Sequence, residues 1–158
     1  MIKTRSMTSA SRYHDISCGH RVYGHESKCA HLHGHNYRIH FNCVAEGPNA
    51  TDPIGRVIDF SVIKERLCVW LEANWDHKFL VWAFDPWRLA LKALDPEGVV
   101  IVTFNPTAEN MAEHLVERIS PVALADTGVR VISVIVEETR KCKATYLAGW
   151  SVGFEGEK

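Results

Sequence analysis

From His33 to Ala45 the chain alternates with a period of two. His33, His35, Tyr37, Ile39, Phe41, Cys43 and Ala45 share one parity, and Asn36, Arg38, His40 and Asn42 lie on the other. Such a pattern predicts a long, half-buried β-strand over residues 33–46. A strand of this kind needs a sheet with one apolar face. It also sets His33 and His35 on that face, because residues two apart on a strand point the same way.

The rest of the chain divides into elements that can complete the sheet. Residues 11–20 form a first strand with Ile16, Cys18 and His20 on one face. A polar loop, Gly24 to Lys28, then delivers Cys29, and Glu46-Gly47-Pro48-Asn49 breaks the second strand. A helix capped by Asp59 or Ser61 follows, with Ile63, Leu67, Trp70 and Leu71 as its apolar stripe. Asp85-Pro86 predicts a cap and a first-turn proline, hence a short helix through about Leu94. Val99 to Phe104 forms a short strand. Asn105-Pro106-Thr107 starts a second main helix with the stripe Ala112, Leu115, Val116 and Ile119. Val129 to Glu138 is apolar on both parities, as expected of a strand covered on both faces. Ala144 to Phe154 places Tyr146, Ala148, Trp150, Val152 and Phe154 on one face. The order is strand, strand, helix, helix, strand, strand, with no internal repeat.

A length of 158 residues fits a single domain with a sizeable core. Residues 1–10 are expected to be a flexible N-terminal extension, and residues 82–104 a longer connection before the second main helix. The net charge of −1 and the lack of a polybasic run argue against a nucleic-acid surface. No apolar run approaches a membrane span, and the polar start lacks the core of a signal peptide. The five cysteines form no Cys-x-x-Cys pair, which points to free thiols in a reducing cytoplasm. The partner these features leave is a small molecule.

Three imidazoles, His20, His33 and His35, form a candidate metal site. Catalytic zinc typically takes three protein ligands and keeps one position open. A lone histidine is usually an ordinary polar or packing residue, but a same-face pair beside a cysteine, with a third imidazole ending the neighbouring strand, reverses those odds. His31 shares the parity but lies at the loop edge, which makes it the weakest member. Cys29 sits in the polar run Glu26-Ser27-Lys28-Cys29-Ala30-His31. A free cysteine is more often a small buried hydrophobe. Here the Lys, the imidazoles and a divalent ion would favour thiolate, and a thiolate that is not a ligand can serve as a base. Asp76-His77 offers a carboxylate that orients an imidazole, or else an ordinary helix end. Glu138 could grip an amidine-like edge through two hydrogen bonds, and Glu137 has the same claim. The helix start at 105–110 could bind an anion or a polar ring edge.

Taken together, these residues resemble the 6-pyruvoyltetrahydropterin synthase family, most of all its bacterial 6-carboxytetrahydropterin synthase branch of the queuosine pathway. The resemblance runs from about His20 to Gly149. In order it covers Gly-His-Arg, Cys-x-x-x-His-Gly-His-Asn-Tyr, Ile-Asp-Phe, Asp-His with Phe-Leu after it, Asn-Pro-Thr-Ala-Glu-Asn and Glu-Thr. The three residues between Cys29 and His33 match the carboxytetrahydropterin branch. The resemblance implies an α+β tunnelling fold (T-fold), a four-stranded antiparallel sheet with two main helices in the order ββααββ. It also implies a homohexamer built as a dimer of trimers, with active sites between subunits.

It further implies a zinc ion on His20, His33 and His35, Cys29 as general base, and Asp76 and His77 as a proton relay that a neighbouring subunit could supply. Glu138 would hold the pterin ring and join the relay, with Thr107 and Glu109 as weaker pocket residues. The implied reaction converts 7,8-dihydroneopterin triphosphate to 6-carboxy-5,6,7,8-tetrahydropterin with release of acetaldehyde and triphosphate. Pyruvoyltetrahydropterin formation, folate-type side-chain cleavage (Glu26 lies near the cysteine) and a silent zinc- or pterin-binding protein are the alternatives. The chain departs from the family pattern at Val81, where many relatives have asparagine, at His31, where arginine is frequent, and in the long segment from Trp82 to Phe104.

Overall fold

The computed structural model describes residues 7–149. The expectations for residues 1–6 and for Trp150, Val152 and Phe154 lie outside the described residues. β1 (Ala10–His20) and β2 (His33–Ala45) pair antiparallel over the whole of β1, from Ala10 opposite Cys43 to His20 opposite His33. β5 (Val129–Glu137) joins the other edge of β2, and β6 (Lys143–Leu147) joins β5, both antiparallel. These four strands are the sheet that the sequence predicts.

The expectation of a four-stranded antiparallel sheet is corrected, while the short strand expected at Val99 to Phe104 is present at the edge of the sheet. β3 (Lys78–Trp82) joins the free edge of β1 at Cys18 to His20, β4 (Val99–Val102) joins β3, and both pairings are parallel. The sheet is mixed and six-stranded, in the order β4-β3-β1-β2-β5-β6. Parallel neighbours need a crossover, and residues 83–98 supply it with the short helix α3 (Arg88–Leu94). The long connection is therefore a folded β-α-β unit. Asp85 does cap this turn, accepting a hydrogen bond from the Trp87 amide at 2.8 Å, but the helix begins later than the Asp-Pro signal predicts.

The two main helices are each interrupted by a wider π-helical turn. α1 (Phe60–Ile63) continues through Lys64–Cys68 into α2 (Val69–Asn74), and Asp59 caps it by accepting from the Ser61 amide. α4 (Ala108–His114) continues through Leu115–Ile119 into α5 (Ser120–Ala123), with Thr107 as its cap. Their buried stripes, Ile63, Leu67 and Leu71 from one and Met111, Ala112 and Leu115 from the other, pack against Tyr37, Ile39 and Phe41 of β2. No helix among the described residues is long and apolar enough to cross a membrane.

The double-parity apolar pattern of β5 has a different cause from the one expected. The β2–β5 register shifts between Asn42 and Cys43, so that Ile132 is an extra residue. Such a bulge switches which parity faces inward. Val129 and Val131 point to the core before it, and Val134 and Val136 after it. The opposite face of the sheet is polar. There Arg38 donates two hydrogen bonds to Asp15 (2.7 and 2.9 Å), Ser17 bonds Asn36, and Asn42 bonds Ser133. Cross-strand pairs of this kind fix the register.

Candidate metal centre and its surroundings

The β1–β2 register sets His20 directly opposite His33, where β1 ends and β2 begins. His35 follows two residues along the same face. The intervening Gly34 faces Gly19, and a Cβ at residue 34 would stand 2.9 Å from the Cys18 carbonyl oxygen. The glycine in His-Gly-His therefore lets the two strands approach closely enough to bring the three imidazoles together. One ring nitrogen from each of His20, His33 and His35 lies within 4.8 Å of the others.

Two backbone carbonyls set the tautomers. His20 Nδ1 lies 2.6 Å from the Pro106 carbonyl oxygen, and His33 Nδ1 lies 2.8 Å from that of His31. A carbonyl only accepts, so each Nδ1 carries a proton and each Nε2 presents a lone pair. The Nε2 atoms of His20 and His35 are buried and have no hydrogen-bond partner. Glu138 Oε1 stands 3.5 Å from the first and 3.6 Å from the second, too far for a good hydrogen bond. The His20 Nε2 lone pair facing that carboxylate is repelled unless a proton or a cation lies between them. Burial pushes the His20 and His35 pKa values down, against the pull of Glu138, and so disfavours the proton. The donor set therefore fits a metal ion. His31 contributes its carbonyl to this arrangement, and its imidazole is not in the cluster.

Glu138 sits just beyond β5, and its amide donates to the Cys142 carbonyl at 3.1 Å. The structure separates it from Glu137, which instead bonds His40 on the polar face at 3.1 Å. Tyr37, fully buried, was visible in the sequence only as a core position. Its hydroxyl has no hydrogen-bond partner of good geometry. Burial, then the nearby Glu138 carboxylate, with Cys18 and Cys29, hold the phenol in its protonated form.

Cys29 lies in a single 3-10 turn (Lys28–Ala30), half-buried, and its carbonyl accepts from the Val22 amide at 2.8 Å. The other thiols differ. Burial pushes Cys18 and Cys43 each up to about 12 and also raises Cys68. Iodoacetamide near neutral pH is therefore expected to label Cys29 and the exposed Cys142 and to spare these three, as read by peptide mass spectrometry. Rapid native labelling of Cys18 would show that the strand end is open.

Asp76 and His77 are held by one residue. The Ser17 amide donates to Asp76 Oδ1 at 2.9 Å, and the His77 amide donates to the Ser17 carbonyl at 2.7 Å. This clasp keeps His77 at φ 55°, the one positive value at a non-glycine residue among the described residues. His77 Nδ1 lies 3.0 Å from Asp76 Oδ2, and its side chain is 81% exposed. Burial raises the Asp76 pKa, but the bonds from Ser17 and His77 outweigh it and hold the carboxyl below its ordinary value. No hydrogen bond or ion pair among the described residues joins this pair to the three imidazoles. His77 and His35 do line one shallow groove at the strand ends, and a larger cleft of about 540 Å³ opens from Asp76 and His77 along the polar face.

Thr107 acts as a helix cap, its hydroxyl accepting from the Asn110 amide at 3.2 Å, and Glu109 is exposed in the first turn. No hydrogen bond or ion pair among the described residues joins either to the imidazoles, whereas the Pro106 carbonyl bonds His20. Thr107→Ala should cost about 1 kcal/mol of stability in urea unfolding, the usual loss for a cap. An unchanged midpoint would mean that the cap contributes nothing.

The 6-pyruvoyl tetrahydropterin synthase family model matches residues 9–148. The chain belongs to this family. A 6-carboxy-5,6,7,8-tetrahydropterin synthase of Rickettsia typhi is 36% identical over 137 residues, covering 86% of this chain and 97% of the relative. Among solved structures, an uncharacterized protein from Wolinella succinogenes superposes with a TM-score of 0.76 at 23% identity, covering 90% of this chain and 99% of that one. The Caenorhabditis elegans 6-pyruvoyl tetrahydropterin synthase gives 0.61 at 22% identity, covering 92% and 100%. At these identities the two structures speak for the fold, and the family match covers every site residue described above.

Proposed function

We propose that this chain is a zinc-dependent lyase that converts 7,8-dihydroneopterin triphosphate to 6-carboxy-5,6,7,8-tetrahydropterin, releasing acetaldehyde and triphosphate, as a step of queuosine and 7-deazaguanine biosynthesis. The observation that carries the reading is the convergence of His20, His33 and His35, with two buried Nε2 atoms unpartnered. The name of the Rickettsia relative supports the choice of reaction within the family.

His20, His33 and His35 would hold the zinc. Bound there, it would lower the pKa of the substrate's side-chain hydroxyls. Cys29 takes a proton from the side chain as general base. His77, aligned by Asp76, carries protons to and from the ring, its exposed imidazole fitting a site completed by a second copy of the chain. Glu138 holds the pterin edge, and Thr107 and Glu109 line the rim. The active assembly is a homohexamer, a dimer of trimers, with sites between subunits. The five free cysteines fit a cytoplasmic location.

The test is to incubate zinc-loaded protein with dihydroneopterin triphosphate, with product analysis by mass spectrometry and an aldehyde trap. Carboxytetrahydropterin with acetaldehyde supports the reading. A pyruvoyl product, or hydroxymethyl pterin with a glycolaldehyde-type fragment, would move the chain to a sister reaction. Bound zinc without turnover would make it a silent binder.

A further inference from the structure

Asn105 makes two hydrogen bonds to one residue of the loop that leads to Cys29. Its side-chain Nδ2 donates to the Tyr23 carbonyl at 2.8 Å, and its Oδ1 accepts from the Tyr23 amide at 3.1 Å. The neighbouring Val22 amide donates to the Cys29 carbonyl at 2.8 Å, and the His25 amide closes the loop onto the Val22 carbonyl at 3.2 Å. On its other side Asn105 is itself held. Its carbonyl accepts from Asn110 Nδ2 at 2.9 Å and from the Thr107 amide at 2.8 Å. The next carbonyl, that of Pro106, is the one that fixes the His20 ring at 2.6 Å.

Two adjacent residues thus grip both the imidazole and the thiol-bearing loop. We infer that Asn105 is a positioning residue that sets where the Cys29 thiol stands relative to His20. An amide is the group suited to this grip, because it presents a donor and an acceptor side by side to one residue's backbone. Aspartate keeps the shape but faces the Tyr23 carbonyl with an oxygen, and alanine reaches neither partner. A loop shifted by about an ångström moves the base out of line with its proton, and such a displacement can cost about a hundredfold in rate. The inference rests on the proposed role of Cys29, but its geometric content can be measured without turnover.

The experiment compares zinc-loaded parent, Asn105→Asp and Asn105→Ala proteins. Each is labelled with iodoacetamide in the folded state, and the ratio of Cys29 to Cys142 labelling is read by peptide mass spectrometry. Zinc affinity comes from chelator competition, folding from thermal melting, and kcat and KM from product formation. Asn105→Asp is expected to lower kcat by about 10–100-fold with KM and zinc affinity within roughly threefold, and to shift the labelling ratio by about fivefold or more. A purely structural role would lower the melting temperature and leave the ratio and kcat of folded protein alone, which would overturn the inference. If the aspartate variant does not fold, the alanine variant decides by the same readings. If the parent shows no turnover, the proposed reaction fails, and the labelling ratio still decides whether Asn105 positions the thiol.

Discussion

Cys29→Ala protein is expected to retain its zinc and to lose about 10²–10⁴-fold in turnover, the range for removing a positioned general base. The reason lies in the division of labour at the site. The three imidazoles come from the paired strands β1 and β2 and not from the loop between them. Cys29 comes from the loop itself, tied back through its own carbonyl, and its side chain makes no hydrogen bond among the described residues. Deleting the sulfur therefore leaves ligand geometry and loop anchor in place. Chelator competition should give the parent's zinc affinity, and steady-state assay the rate. A variant that turns over at the parent's rate would remove Cys29 from the mechanism. A variant that loses zinc would make it a ligand.

Asp85→Asn is expected to destabilise the protein by about 3–5 kcal/mol, the cost of leaving a buried charge without its partner. Asp85 is fully buried, and Arg21 is 6% exposed. Arg21 Nε lies 2.9 Å from Asp85 Oδ2, a close ionic contact without the alignment of a hydrogen bond. The guanidinium also stacks over Trp87 at 3.7 Å. Arg21 directly follows His20 of the candidate metal site, so this pair bolts the β3–α3–β4 unit to the end of β1. Urea unfolding of the single variant should show the loss. Replacing both residues together, Arg21→Met with Asp85→Leu, should recover much of it, because no unpaired charge remains. Equal stability of Asp85→Asn and parent would mean that water already reaches the pair.

The sheet's polar face has a bearing on assembly. Arg38, Asp15, Asn36 and Ser17 satisfy one another across β1 and β2 and leave a polar wall beside Asp76 and His77. The apolar face is already taken by the two interrupted helices. In the proposed reaction, an Asp–His pair held by Ser17 yet exposed at its far end would act on a substrate bound partly by another copy of the chain.

Much of this was legible in the sequence because it depends on short-range rules. The alternation from His33 to Ala45 specified β2 and the shared face of two imidazoles, since a period of two leaves no other orientation. Thr107 and Asp59 announced their helices because a cap acts within three residues. The identities of His20, Cys29, Asp76 and His77 as chemical candidates followed from residue type and spacing. Other features needed tertiary structure. β3 is a five-residue strand, Lys78 followed by four apolar residues, whose partners, Cys18 to His20 and Val99 to Val102, are distant in sequence, and its pairing became visible only when the crossover closed. The bulge at Ile132 is a matter of register, which the composition of β5 cannot express. Glu138 separated from Glu137 only when the strand end placed one beside the imidazoles and the other beside His40. Above all, the proton positions on His20 and His33 are decided by the carbonyls of Pro106 and His31, backbone groups that look alike at every residue. The sequence by itself determined which side chains can do chemistry. The tertiary structure alone decided which carbonyl each imidazole meets, because a tautomer is chosen by the acceptor beside it.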